Sequence, residues 1–329
     1  MEPIIRRNVS TFLKEILKHK NILHNDEYLF FRGESDEYDK RTPSLYLNEK
    51  LTKQGSEYYY RTLLNELGRD DYEGNTSLVR LMSELQHYGA KTRMLDVTKS
   101  PLIALYFAVE KNDKKPGYVY IYKTAQHEEK FDTGHTVAIK SALNLMDYEV
   151  INDFLKACTT MQDKQGDEFS NLKDKTQEEV LRECDDSMKK AINRFMELLN
   201  QRARVREKLK YPIKIFYDLD KSHLINPSKS TDRIRQQQGA FIFPKYVNTK
   251  DKDIEKIRTE IDQSIQELNA NLLICKNVKG SKNPIEMQFS CIKINGGDKK
   301  SIRAELEQLG VTAGYIYPDI EHQSMALLE

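Results

Sequence analysis

The sequence predicts an α+β fold: a mixed, mostly antiparallel sheet flanked by helices, with a large helical insertion. Three observations carry this reading. Short apolar runs of strand type are separated by long amphipathic helices, without the regular strand–helix–strand rhythm of a doubly wound sheet. From about residue 128 to 210 the composition shifts to charged, helix-forming residues. Hydrophobic residues are only 39% and charged residues 31%, yet 18 Tyr and 12 Phe supply the bulk of a sizeable core.

The elements follow in order. Ser10 to Lys18 reads as an amphipathic helix with Leu13, Ile16 and Leu17 on one face. Tyr28 to Phe31 is an apolar run leaving at Arg32-Gly33, a buried strand and its exit. Tyr60, Leu63, Leu64 and Leu67 mark a helix closed by Gly68. Leu78, Leu81, Met82 and Leu85 mark another, capped by Thr76 or Ser77 and ended by Gly89. Ser100-Pro101 is a helix start, since serine caps free amides and proline suits the first helical position. That helix runs to Glu110 and is apolar around most of its circumference. Tyr118 to Tyr122 reads as a strand. In the insertion, Ile192, Phe195, Met196 and Leu199 form one apolar stripe on a helix within 188–209. Ile213 to Tyr217 and Ala240 to Phe243 read as strands. A helix carrying Ile254, Ile257, Ile261, Ile265 and Leu268 follows, then an alternating strand from Met287 to Ile294. Helix Ser301 to Leu309 and strand Tyr315 to Tyr317 close the chain, for about six strands in all. The expected organisation is a core built from residues 1–127 and 211–329, with 128–210 as the insertion.

Composition also excludes. Lys and Arg number 52 against 51 Asp and Glu, a net charge of +1, which removes the basic surplus of a simple nucleic-acid or membrane binder. No apolar stretch is long enough to span a bilayer, and Met1 to Ser10 has no signal-peptide core, so no membrane association and a cytoplasmic location are expected. The four cysteines, at 158, 184, 275 and 291, have no metal-ligand spacing, and no metal is expected. The GxGxxG, GxxxxGKS/T, HExxH and GxSxG fingerprints are absent.

Three polar segments can carry chemistry. Gln86 to Thr98 offers an imidazole, a guanidinium, a carboxylate and two hydroxyls between two helices. Its plainer reading pairs Arg93 with Asp96, caps a helix with Thr98 or Ser100, and leaves His87 as a helix-end histidine. Arg32, at a strand end, requires either a protein carboxylate, with Asp96 a candidate, or a ligand phosphate. Arg233 to Phe241 carries three consecutive glutamines before Gly239, as amide hydrogen bonders or as a surface turn. The chemical readings require Arg32, His87, Arg93, Asp96 and Gln238 to converge on one cleft.

Together these segments resemble the FRG domain family. The resemblance rests on Phe31-Arg32-Gly33 and Pro43-Ser44-Leu45, then Leu85-Gln86-His87-Tyr88-Gly89, Thr92-Arg93-Met94-Leu95-Asp96 and Pro101 to Ala108. Later motifs are Arg233-Ile234, Gln238-Gly239-Ala240-Phe241, Gly310-Val311-Thr312 and Tyr317-Pro318-Asp319-Ile320. It spans about residues 25–122 and 211–320. Val97 stands where the family usually has Trp, and Ala240 replaces a larger apolar residue. The resemblance implies a bacterial or phage-related protein with a toxin or phage-defence role. A more distant similarity to ADP-ribosyltransferases implies an NAD-using pocket that modifies a protein or nucleic acid. There Arg32, His87, Asp96 and Gln238 would be the catalytic set. Arg32, Gly33, Thr92, Arg93, Thr98 and Ser100 would hold NAD, with Asp96 or Glu34 supplying the charge that a usual catalytic Glu supplies. A non-catalytic nucleotide or phosphate-binding module, and a nuclease, remain as alternatives. The insertion is assigned to a regulatory partner.

Overall fold

The structure is a computed structural model that describes residues 4–20, 23, 25–68, 77–250, 252–269, 272–276, 285–289, 291–320 and 323–324. Its strands are β1 (Ile4–Arg6), β2 (Glu27–Glu34), β3 (Leu95–Thr98), β4 (Gly117–Ala125), β5 (Lys130–Phe131), β6 (His223–Asn226), β7 (Gly239–Phe243), β8 (Leu272–Lys276), β9 (Ile285–Phe289) and β10 (Cys291–Ile294). Eight of them form one sheet in the order β1-β10-β4-β2-β3-β7-β6-β5, and β8 and β9 pair separately. Only β1 with β10 and β5 with β6 run parallel within the large sheet, so it is mixed and mostly antiparallel, as expected.

Alternation along the strands builds the layers. On β4, Tyr118, Tyr120 and Tyr122 face the apolar stripe Ile257, Ile261 and Ile265 of helix Ile254–Gln266. On the other side, Val119 and Ile121 pack with helices Val9–Lys20, Pro101–Val109 and Lys299–Gln308. Further along that side, Ile225, Phe241 and Phe243 of β6 and β7 join a core shared with helix Leu78–His87 and the helices after residue 134. The expected stripe Ile192, Phe195, Met196 and Leu199 is buried there, on helix Asp186–Arg202. Phe195 stacks on Phe154 of helix Tyr148–Gln165, with ring centroids 3.8 Å apart.

Several expectations needed tertiary information. Ile213 to Tyr217 is not a strand but part of helix Pro212–Leu219, started by Pro212 and burying Ile213, Ile215, Phe216 and Leu219. A short apolar run reads equally as strand or helix, and Pro at the first position decides for helix here. Tyr315 to Tyr317 is likewise helical up to Ile316, because the Thr312 side chain accepts from the Tyr315 amide. The run expected from Met287 to Ile294 is two strands, β9 and β10. The described residues hold ten strands against about six expected: β1, β3, β5 and β6 have two to four residues with polar members and carry little periodicity, and β8 was not assigned either. Ser77 stands at the start of helix Leu78–His87 without a side-chain cap bond, and Thr76 lies outside the described residues.

One buried cation has a pH consequence. Lys140 Nζ, inside the protein, donates to the carbonyls of Lys221 and Pro244, at 2.7 and 2.9 Å. These carbonyls lie just outside the His223–Phe243 pair that ends the β6–β7 ladder. Burial pushes the Lys140 pKa down to about 7, against the pull of Asp218 and Asp220. The folded pKa lies below the unfolded value, so the unfolded chain binds more protons between them, and stability rises with pH from about 7 towards 10.5. The full change is worth roughly 4–5 kcal/mol. Urea unfolding at pH 7 and pH 9.5 is expected to show wild type gaining several tenths of its stability over that interval. Lys140→Met is expected to gain much less. Parallel pH profiles would show that Lys140 does not titrate in this range.

Candidate functional site

Strands β2 and β3 are neighbours in the sheet, yet only Phe31 and Thr98 are paired between them. Beyond that pair, towards Glu34 on β2 and Leu95 on β3, the strands separate. A cleft of about 280 Å³ lies at this gap, with Arg32, Glu34, His87, Asp96, Glu110 and Arg233 among the residues lining it. Its volume is near the lower end of small-molecule sites, roughly 300 Å³. Phe31, Tyr38, Phe107 and Phe241 supply its apolar walls.

Arg32 bridges the gap. It shares a face of β2 with Glu34, two residues on, and its Nε donates to Glu34 Oε1 at 2.7 Å. Its Nη1 donates at 2.8 Å to the main-chain carbonyl of Asp96, an acceptor that continued strand pairing would otherwise occupy. Burial works against the charged guanidinium, but Glu34, helped by Tyr122 and Asp96, offsets it, so the Arg32 pKa stands above its ordinary value. Arg32 is therefore ion-paired to Glu34, not to the Asp96 carboxylate.

Asp96 points the other way. Its neighbours Leu95 and Val97 face the Ile254–Gln266 layer, so alternation turns Asp96 towards helix Leu78–His87. Gln86 Nε2 donates to Asp96 Oδ1 at 2.7 Å. The amide is set by Thr92, whose hydroxyl donates to Gln86 Oε1. This leaves the Asp96 carboxylate opening onto the cleft. The protein mass around it raises its pKa, opposed by the charges of Arg32 and Arg233 and by the Gln86 bond.

The opposite wall comes from the helix end at His87 and the short helix Asp232–Gln236. Gly89, at φ +90°, turns the chain sharply after His87 and Tyr88, which leaves the imidazole at the rim. Arg233 Nη1 lies 2.8 Å from His87 Nδ1, and its guanidinium sits over the Tyr317 ring, 5.1 Å from the centroid. Tyr317 donates its hydroxyl to Glu110 Oε2 at 2.8 Å. Gln237 Nε2 donates to the Ile316 carbonyl at 3.0 Å. The C-terminal helix Ala313–Ile316 is thereby tied to the cleft.

The expected convergence is partial. Arg32, Gly33, His87, Asp96 and Thr98 line the cleft. Thr98 is committed within the protein, donating to the Gln237 carbonyl at 2.6 Å and accepting from the Ser100 amide at 3.0 Å. Arg93 is not at the cleft. Its Nη1 donates to Ser56 Oγ and Asn144 Oδ1, at 3.1 and 3.0 Å, and its guanidinium lies 5.0 Å from the centre of the Tyr246 ring. Gln238 is not among the lining residues either. At φ +47° its backbone turns sharply, its side chain is exposed, and Gln237 takes the inward position. Thr92 positions Gln86 from below, and Ser100 caps helix Pro101–Val109 through Ile103 N. Residues not assigned from sequence are Gln86, Glu110, Arg233, Gln237 and Tyr317. Arg233 was legible only as part of a motif, because nothing in the spacing places it beside His87, 146 positions away. Among the described residues, no group of three His, Cys, Asp or Glu side chains is placed to hold a metal ion. No described helix is long and apolar enough to cross a membrane.

Comparison with known proteins bears on this geometry. The FRG domain family matches residues 27–116, a span that includes β2, β3, His87 and Glu110, while the later motifs around 233–241 and 310–320 lie outside it. No curated protein and no solved structure matches the chain. Residues 27–116 match the FRG domain, and these matched residues supply both strands at the gap.

Proposed function

We propose that the cleft binds NAD as a substrate, breaks its nicotinamide glycosidic bond and passes ADP-ribose to a nucleophile on a protein or nucleic acid. The observation that carries this reading is the Asp96 carboxylate, open to the cleft and flanked by two guanidinium groups. Arg32 and Arg233 suit the phosphates, and the carboxylate suits the positive charge that develops at the ribose as nicotinamide leaves with the bonding electron pair. The proton of the attacking hydroxyl or amine then passes to Asp96, whose raised pKa makes it a better base than an ordinary carboxylate. The late motif has Gln237 and Gln238 and no carboxylate, so Asp96 takes that electrostatic role. The cleft is small enough that part of the dinucleotide must extend beyond its mouth. A cytoplasmic bacterial or phage-related effector, in defence or as a toxin, is the setting the FRG resemblance supports.

The test is nicotinamide release from NAD by the full chain and by Asp96→Asn. Wild type is expected to release nicotinamide, and the variant to be slower by at least about 100-fold with its fold retained. The glutamines of the late motif favour one second reading, a nucleotide-binding module without turnover. NAD that raises the melting temperature and releases nothing would establish it. Neither release nor stabilisation would overturn both readings.

A further inference from the structure

We propose that Arg233 is the phosphate-holding residue of the cleft, aimed by the Nδ1 atom of His87 and by the Tyr317 ring. This names the anion anchor of the NAD reading, but it rests on a separate observation. The two other arginines near β2 have carboxylate partners: Arg32 has Glu34, and Arg41 has Asp262. Among the described residues, Arg233 has no carboxylate within the 4.0 Å of an ion pair, although it lines the cleft beside His87. Asp96 is close enough for Arg233 to lower its pKa, but it is hydrogen-bonded to Gln86 and not to Arg233.

The partners that Arg233 does have are both neutral. A guanidinium has donors only, so the contact with His87 requires a lone pair on Nδ1. The ring proton is then on Nε2, and the imidazole is uncharged. His87 therefore does not act as a base through Nδ1 while this bond holds; it positions Arg233. Tyr317 covers one face of the guanidinium, which leaves the edge for in-plane hydrogen bonds. Only one N–H of the fork is used by His87. The remaining donors form a planar edge that fits two phosphate oxygens. Arg32 has less to offer, since Glu34 neutralises its charge and the Asp96 carbonyl takes a second donor.

The charged groups around this edge define the ligand class. Asp96 and Glu110 both line the cleft, and Glu110 accepts the Tyr317 hydroxyl. An anion must therefore dock on the Arg233 side, with its neutral, hydroxyl-bearing part towards Asp96. A sugar bearing a phosphate or diphosphate has that polarity.

The experiment is a calorimetric titration of the full chain with inorganic pyrophosphate and with ADP-ribose, for wild type, Arg233→Gln and Arg233→Lys. Arg233→Gln is expected to weaken pyrophosphate at least about tenfold, and Arg233→Lys is expected to recover only part of the affinity, having charge without the fork. In parallel, the ¹⁵N spectrum of His87 is expected to show the Nε2–H tautomer in wild type and to lose that bias in Arg233→Gln. Wild-type affinity in Arg233→Gln, or no pyrophosphate binding by wild type, overturns the proposal. If Arg233→Gln does not fold, unchanged affinity in Arg233→Lys overturns it. Pyrophosphate held through Arg233 by a protein that releases no nicotinamide sinks the NAD reading alone. NAD turnover with an unchanged KM in Arg233→Gln sinks this proposal alone.

Discussion

Gly33→Ala is expected to prevent the chain from folding stably, at a cost of at least about 4 kcal/mol. A β-carbon at Gly33 would lie 1.8 Å from the carbonyl oxygen of Ala104 and 2.8 Å from the amide nitrogen of Ala108. Both are backbone atoms of helix Pro101–Val109, so no side chain can rotate away. The helix is made for this approach: Ala104 and Ala108, four residues apart, put small side chains on one face. Gly117 on β4 meets the same helix, its β-carbon falling 2.0 Å from the Ala108 carbonyl oxygen. The glycine of Phe31-Arg32-Gly33 is thus required by helix-on-sheet contact, since neither glycine has a left-handed φ that would require it. Phe107 and Glu110 of the cleft wall are carried by this helix and its end, so a helix pushed off the sheet also opens the site. Circular dichroism and thermal melting of Gly33→Ala against wild type measure the effect. A cooperative transition within a few degrees of wild type would refute the close-packing argument.

The second large effect is expected from Arg32→Ala, a loss of about 3–5 kcal/mol of stability. Glu34 is almost fully buried, and Arg32 is its ion-pair partner. Removing the guanidinium strands a carboxylate inside the protein, which costs more than the ion pair contributes. A double variant, Arg32→Met with Glu34→Leu, removes both charges and is expected to recover most of the loss. Urea unfolding of the two variants separates these terms. Equal stability losses in the single and double variants would show that the Arg32 bridge to the Asp96 carbonyl, and not the stranded Glu34, is what matters. The result also governs how activity data are read, because lost turnover in Arg32→Ala reports the fold as much as the site. Asp96 and Arg233 line the cleft without a buried ion-pair partner, so they are better probes of chemistry.

The candidate site was legible where the chain itself concentrates polar groups between rigid elements. Arg32, His87 and Asp96 lie in such places, and all three line the cleft. Arg93 lies in the same dense segment, yet its guanidinium is held by Ser56 and Asn144, far away in the chain. Spacing cannot distinguish these cases, because a side chain in an irregular segment has no periodicity to set its direction. Gln238 failed for a related reason: a left-handed residue just before β7 reverses which of two adjacent glutamines faces inward.

By itself the sequence determined the periodic parts of the molecule: the amphipathic helices, the apolar stripe of helix Asp186–Arg202, the tyrosine-rich strand β4 and the FRG motif. Those follow from local rules, since hydrophobic period and capping residues act within a few positions. Only the tertiary structure decided that β2 and β3 part after one residue pair, that Glu34 takes the charge of Arg32, and that Arg233 meets His87 and Tyr317. The physical reason is that the cleft is made by a failure of strand pairing and by contacts between residues distant in the chain. Both depend on how the layers dock on the sheet, and no local pattern encodes that.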